Sequence, residues 1–197
     1  MATFFQTTSR NFSNVTINED GINTKEFLEA TEGLIKIFDL FGSVFAVVQN
    51  DMNGNVKKIR ERFVMDEVKN STLQKLVKAE IDEKGRKKLP TATEGLLWLT
   101  RGLDFTLQSL ERSEANPSEE LSVSFTKGYE GTLRQFHGML VRPVFALAMK
   151  GCPYRADFYA KLGQDQGLVK QDLSAYLAGL RNVVSDVQGF YSANDLK

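Results

Sequence analysis

A chain of 197 residues, 42% hydrophobic and 25% charged, has the size of one domain and enough apolar material to bury a substantial core. Twenty-five Lys and Arg balance twenty-five Asp and Glu, which excludes the strong basic field of a dedicated nucleic-acid binder. One cysteine, Cys152, excludes an intramolecular disulfide and a cysteine-rich zinc site, and one histidine, His137, excludes a multi-histidine metal centre. No apolar run approaches a membrane span, and Met1-Ala2-Thr3-Phe4-Phe5 lacks the basic start and apolar core of a signal peptide. The expectation is a soluble cytoplasmic protein without a cofactor, in which the sequons at Asn11, Asn14 and Asn70 stay unused.

Four prolines and long stretches of 3.6-residue periodicity predict an all-helical fold without strands, with residues 1–23 as an arm packed on a single domain of residues 24–197. A first helix spans about Thr24 to Phe41, with Thr24 as its cap, Phe27, Thr31, Leu34, Ile35, Phe38 and Phe41 on its apolar face, and Gly42 at its end. Val44 to Val48 is apolar on all sides and leads into a helix through Asp51 and Phe63. A third helix covers about Asn70 to Glu83, and Lys84-Gly85-Arg86-Lys87-Lys88-Leu89-Pro90 reads as an exposed basic connection. From Thr93 to Arg112 the apolar residues cover much of the circumference, so this helix belongs in the middle of the molecule.

Asn116-Pro117 makes a turn, after which Phe125, Tyr129, Leu133, Phe136, Leu140, Val144, Phe145 and Ala148 repeat at helical spacing from Leu121 to Lys150. Pro143 interrupts this pattern and predicts a kink or break between His137 and Phe145. Asp157 to Leu162 and Val169 to about Ser192 supply the last helices.

In the second helix Asp51, Asn55 and Lys58 fall on one stripe within about 60° of arc, beside a second stripe of Met52, Val56, Ile59 and Phe63. A row of hydrogen-bonding groups at the edge of a buried face suits a ligand that is polar at one end and oily at the other. Taken singly, Asp51 with Lys58 reads as a surface ion pair, Trp98 as core and His137 as a satisfied buried histidine. A Cys152–His137 nucleophile pair is the one enzymatic reading the residue types permit; no nucleotide-binding loop, dinucleotide fingerprint or serine elbow is present.

These blocks together resemble the glycolipid transfer protein family, and within it the fungal heterokaryon-incompatibility type. The resemblance is carried by Phe38-Asp39-Leu40-Phe41-Gly42-Ser43, Asp51 to Lys58, Thr91 to Leu103 around Trp98, Phe136-His137-Gly138 and Pro153 to Phe158. It implies an all-α, two-layer helical sandwich enclosing an apolar lipid pocket, not an enzyme. Such a carrier holds one glycosphingolipid, a glucosyl-, galactosyl- or lactosylceramide, and moves or senses it as a monomer that touches membranes transiently. By the resemblance, Asp51 and Asn55 bind sugar hydroxyls, Asp51 also accepts from the ceramide amide, Lys58 adds a sugar contact, Trp98 is the platform under the first sugar and His137 donates to the amide carbonyl.

The same resemblance places Phe38, Phe45, Leu97, Phe105, Phe136, Phe145 and Ala148 around the hydrocarbon chains. The phosphate-binding branch carries lysine at the position of Asn55 and lacks the tryptophan, so Asn55 with Trp98 favours a sugar. A ceramide-1-phosphate carrier using Lys58 and Arg101, and a helical interaction module with a vestigial cavity, are the alternatives. The animal protein has a tryptophan two residues after the histidine where this chain has Met139. The expected membrane contact is therefore Met139, Leu140, Arg142, Lys150 and Tyr154.

Overall fold

The computed structural model describes residues 2–197. The chain runs through α1 (Phe4–Thr7), two short strands β1 (Ile17–Asn18) and β2 (Gly21–Ile22), and then α2 (Thr24–Ile35), α3 (Ala46–Met65), α4 (Leu73–Lys84), α5 (Thr91–Ala115), α6 (Leu121–Gly131), α7 (Arg142–Lys150), α8 (Arg155–Leu162) and α9 (Gln166–Ala193). The antiparallel pair β1–β2 corrects the strandless expectation; strands of two residues are too short to show alternation in a sequence.

Asn23, not Thr24, caps α2, accepting from the amide of Glu26 at 3.0 Å. Thr24 is buried, and its hydroxyl donates to the carbonyl of Asn70 at 2.8 Å. After Ile35 the helix tightens into a 3₁₀ segment, Lys36–Phe41, which ends at Gly42 with φ +82°, a conformation that favours glycine. Thr72 caps α4, which starts at Leu73, three residues beyond the expected Asn70, while the buried Asn70 amide donates to the carbonyl of Arg62 at 2.8 Å.

Helix α5 is central, packing against α3, α4, α6 and α9. Its contact with α3 is close because of Gly95: a Cβ there would lie 3.1 Å from Cβ of Lys58. The buried Glu80 carboxylate caps α5 from α4, accepting from the amides of Ala92 at 3.2 Å and Thr93 at 2.8 Å and from the Thr93 hydroxyl at 2.9 Å. Burial opposes the charge on Glu80, but these bonds outweigh it and hold the carboxyl below the usual range. At the arm, Phe5 and Phe12 are buried against Tyr176 of α9, with ring centroids 5.0 and 5.6 Å away.

The helix expected to run from Leu121 to Lys150 is two helices. α6 stops at Gly131, Thr132 leaves helical geometry at φ −122°, ψ −86°, and a 3₁₀ turn, Leu133–Gln135, and a loop follow. Pro143 sits in the first turn of α7, where its missing N–H removes no helical bond, so the break lies upstream of the proline. The interruption rephases the pattern: Leu133, Phe145 and Ala148 stay buried, whereas Phe136, Leu140 and Val144 face solvent.

Candidate functional site

Asp51, Asn55 and Lys58 share one face of α3, with Met52, Val56, Ile59 and Phe63 buried beside them. Asn55 is only 4% exposed. Its amide nitrogen donates to the carbonyl of Asp51 at 3.0 Å, and its oxygen accepts from Nζ of Lys58 at 3.2 Å. Asp51 stands at the exposed rim of this row; the atoms packed beneath it raise its carboxyl above the ordinary value, and the Lys58 charge works against that rise.

The row meets α5 one turn before Trp98, since the stem of Lys58 lies over Gly95. Trp98 is half-buried and stacks nearly parallel to the His137 ring, 6.0 Å between centroids and 20° between planes. Phe136 meets the indole edge-on at 6.5 Å, and the Arg101 guanidinium carbon lies 4.7 Å from the Trp98 ring and 3.7 Å from that of Phe136.

His137 is buried against Phe145 at 4.5 Å, and its Nδ1 is 3.1 Å from the Tyr129 hydroxyl. Burial, with the nearby Arg142 charge, lowers its pKa, so the imidazole is neutral at pH 7 and offers one donor and one acceptor. Nε of Arg142 donates to the carbonyls of His137 at 2.7 Å and Arg134 at 3.2 Å, tying the start of α7 to the histidine loop.

From His137 an aromatic wall runs inward. Phe145 stacks on Tyr129 at 5.6 Å, Tyr129 meets Phe105 at 6.4 Å, Phe105 meets Phe125 at 5.7 Å, and Phe125 reaches Phe45 at 5.9 Å, which stacks on Phe38 at 5.5 Å. Of the expected pocket residues, Phe38, Phe45, Phe105, Phe145 and Ala148 are buried, and the first four form this wall. Leu97 and Phe136 stand apart from it, both lining a groove of about 350 Å³ between α5 and α9, with Phe136 43% exposed. Phe125 and Tyr129 join the wall unforeseen, because their spacing in a helix is the same as that of ordinary core residues.

Met139 and Leu140 are 85% and 91% exposed, and Lys150 and Tyr154 are exposed too. Arg142 differs from the other expected membrane residues in that its guanidinium is engaged with backbone carbonyls. Val141, Val144 and Leu147, not foreseen, extend the exposed apolar surface along α7. The Cys152 thiol is pushed by burial up to about 12, so it is no thiolate at neutral pH. Among the described residues no cluster of His, Cys, Asp and Glu suits a metal ion, and no helix is long and apolar enough to cross a membrane.

Comparison with known proteins identifies the family and the fold. The family model described as glycolipid transfer protein matches residues 22–164. A glycolipid transfer protein of Aureobasidium melanogenum is 45% identical over 99% of this chain and 96% of its own length. The human pleckstrin homology domain-containing family A member 8 is 34% identical over 99% of this chain, which spans 40% of that longer protein. The crystal structure of HET-C2, a fungal glycolipid transfer protein, superimposes with a TM-score of 0.93 at 42% identity, covering 99% of this chain and 100% of that one. Mouse ceramide-1-phosphate transfer protein, 21% identical with a TM-score of 0.82 over 95% of this chain and 98% of its own, shares the fold. Sequence and structure place this chain in the glycolipid transfer protein family.

Proposed function

We propose that this protein lifts one glycosphingolipid out of a membrane, carries it with the ceramide shielded and delivers it to another membrane without chemical change. The observation that carries this reading is the polar row Asp51, Asn55 and Lys58 set beside Trp98 and His137 at the head of a closed aromatic wall. A pyranose has hydroxyls at its rim and C–H groups on its face, so it asks for fixed polar partners beside an aromatic surface. Asp51 and Asn55 take sugar hydroxyls, Lys58 turns from Asn55 to a further hydroxyl, and Trp98 supplies the face.

The ceramide amide needs a partner for each end. The Asp51 carboxylate accepts from its N–H, and His137 donates from Nε2 to its carbonyl, which requires Tyr129 to donate to Nδ1. Chains enter by parting the helices along the aromatic wall, because Phe38, Phe45, Phe105 and Phe125 are fully packed in this state. Shielding a dozen methylenes is worth about 10 kcal/mol, enough to make extraction from a bilayer feasible. Hydrocarbon shielding does not choose a head group; buried hydrogen-bonding groups do, since they penalise a ligand that leaves them unpaired.

The exposed apolar residues Met139, Leu140, Val141, Val144 and Leu147, with Lys150 and Tyr154, are the transient membrane contact of a cytoplasmic monomer. Residues 24–197 carry the ligand site, and the described residues before them, 2–23, are an arm clamped on α9 through Phe5 and Phe12. Trp98 is the only tryptophan, so intrinsic fluorescence reports the site directly. Titration with short-chain glucosylceramide should shift the emission of wild type and leave that of folded Asp51→Val unchanged. No response in wild type, or the same response in the variant, overturns the assignment.

A further inference from the structure

The groove of about 350 Å³ between α5, the turn after α6 and α9 lies outside the polar row and the aromatic wall. From Trp98, Gly95 and Gly102 lie about 40–60° around α5 to one side, while Arg101 and Leu97 lie about 60–100° to the other. Gly95 faces Lys58 and Gly102 faces Met52, both on α3, whereas Arg101 and Leu97 line the groove. The groove therefore adjoins the flank of Trp98 opposite the α3 row, one side chain away from the indole.

Its chemistry is that of a sugar site. The Arg101 guanidinium stacks on Trp98 and Phe136, and among the described residues no carboxylate, carbonyl or hydroxyl accepts a hydrogen bond from it. Gln188 spends its amide nitrogen on Asp104 at 3.2 Å and Gln135 spends its own on the Thr132 carbonyl at 3.1 Å, which leaves both amide oxygens as acceptors. Donors and acceptors thus sit together beside the exposed ring of Phe136, in a groove that mixes charges of both signs, Arg101 and Lys197 with Asp104, as a polyhydroxyl ligand that both donates and accepts requires.

We propose that this groove is a second sugar subsite, which receives the outer hexose of a dihexosyl head group while the inner hexose stands on Trp98. The proposal rests on the glycolipid reading of the Trp98 site. Arg101 and the Gln135 and Gln188 oxygens bind the outer hydroxyls, and Phe136 takes the C–H face.

The test is a Trp98 fluorescence titration with lactosylceramide and glucosylceramide of the same short acyl chain, on wild type, Ser192→Phe and Gln188→Leu. Both positions are exposed, line the groove and stand apart from the α3 row, and circular dichroism checks folding. Wild type should bind the lactosyl lipid about tenfold more tightly, and both variants should bring that ratio close to one with glucosylceramide binding unchanged. Equal binding of the two lipids by wild type, or an undiminished preference in both variants, overturns the subsite and leaves the Trp98 site standing. Failure of folded wild type to bind either lipid overturns the glycolipid reading and the subsite with it.

Discussion

The two ends of the candidate site are built differently. At the head-group end α3 and α5 are locked: Gly95 admits Lys58 at close range, the Glu80 carboxylate caps α5, and the Tyr191 hydroxyl donates to the Thr93 carbonyl at 2.7 Å. At the other end, from Thr132 to Val141, the chain leaves the helix and exposes Met139 and Leu140, and Nε of Arg142 bonds the carbonyls of Arg134 and His137 within it. A carrier that selects one head group and also opens for two chains needs both properties. Fixed polar groups give selectivity, and a segment with few buried contacts gives a place to open.

The largest effect should come from the rigid end. Trp98→Ala removes the aromatic platform, which at buried binding centres is commonly worth about 2 kcal/mol or more, so glucosylceramide affinity should drop at least about 30-fold with the circular dichroism spectrum intact. A loss of less than about threefold would make the platform a packing residue. Next, Glu80→Gln should cost about 1–3 kcal/mol of unfolding free energy in denaturant titrations, because the α5 amides lose a charged acceptor. Since the folded Glu80 carboxyl is held below its ordinary value, its contribution is complete above the unfolded pKa and disappears as pH falls through the folded one. Wild type should therefore lose more stability than the variant on acidification below about pH 4; parallel pH curves would contradict the capping role.

The rigid end was largely legible in the sequence. The stripe Asp51, Asn55, Lys58 and its apolar neighbour stripe follow from helical spacing alone, and the structure keeps both on α3. Glu80 was not legible, because a carboxylate that caps a helix from another element has no local signature. From Thr132 to Val141 the sequence misleads for a related reason. Its periodicity continues through Phe136, Leu140 and Val144, but periodicity does not record that Thr132 abandons helical geometry, and the proline that drew notice starts α7 instead of bending it. Pocket lining and core are the same residue types in the same pattern, so Phe125 and Tyr129 were inseparable from ordinary packing.

Smaller effects separate the two ends further. Met139→Asp with Leu147→Asp, on exposed positions, should slow transfer between vesicles about tenfold while binding of short-chain lipid in solution stays unchanged. Unaltered transfer would remove α7 from the membrane contact. Tyr129→Phe deletes the partner of His137 Nδ1 and should weaken ceramide binding by about 1 kcal/mol, roughly fivefold, without altering the relative preference among sugars. A changed sugar preference would mean that Tyr129 acts on the head group itself.

The most direct measurement is transfer of fluorescent glucosylceramide and ceramide-1-phosphate between vesicles by wild type and folded Trp98→Ala. Carriage of a glycolipid predicts that wild type moves the sugar lipid, leaves the phosphate lipid in place and loses its transfer with Trp98. Equal movement of the phosphate lipid, or undiminished sugar-lipid transfer by the variant, would contradict it.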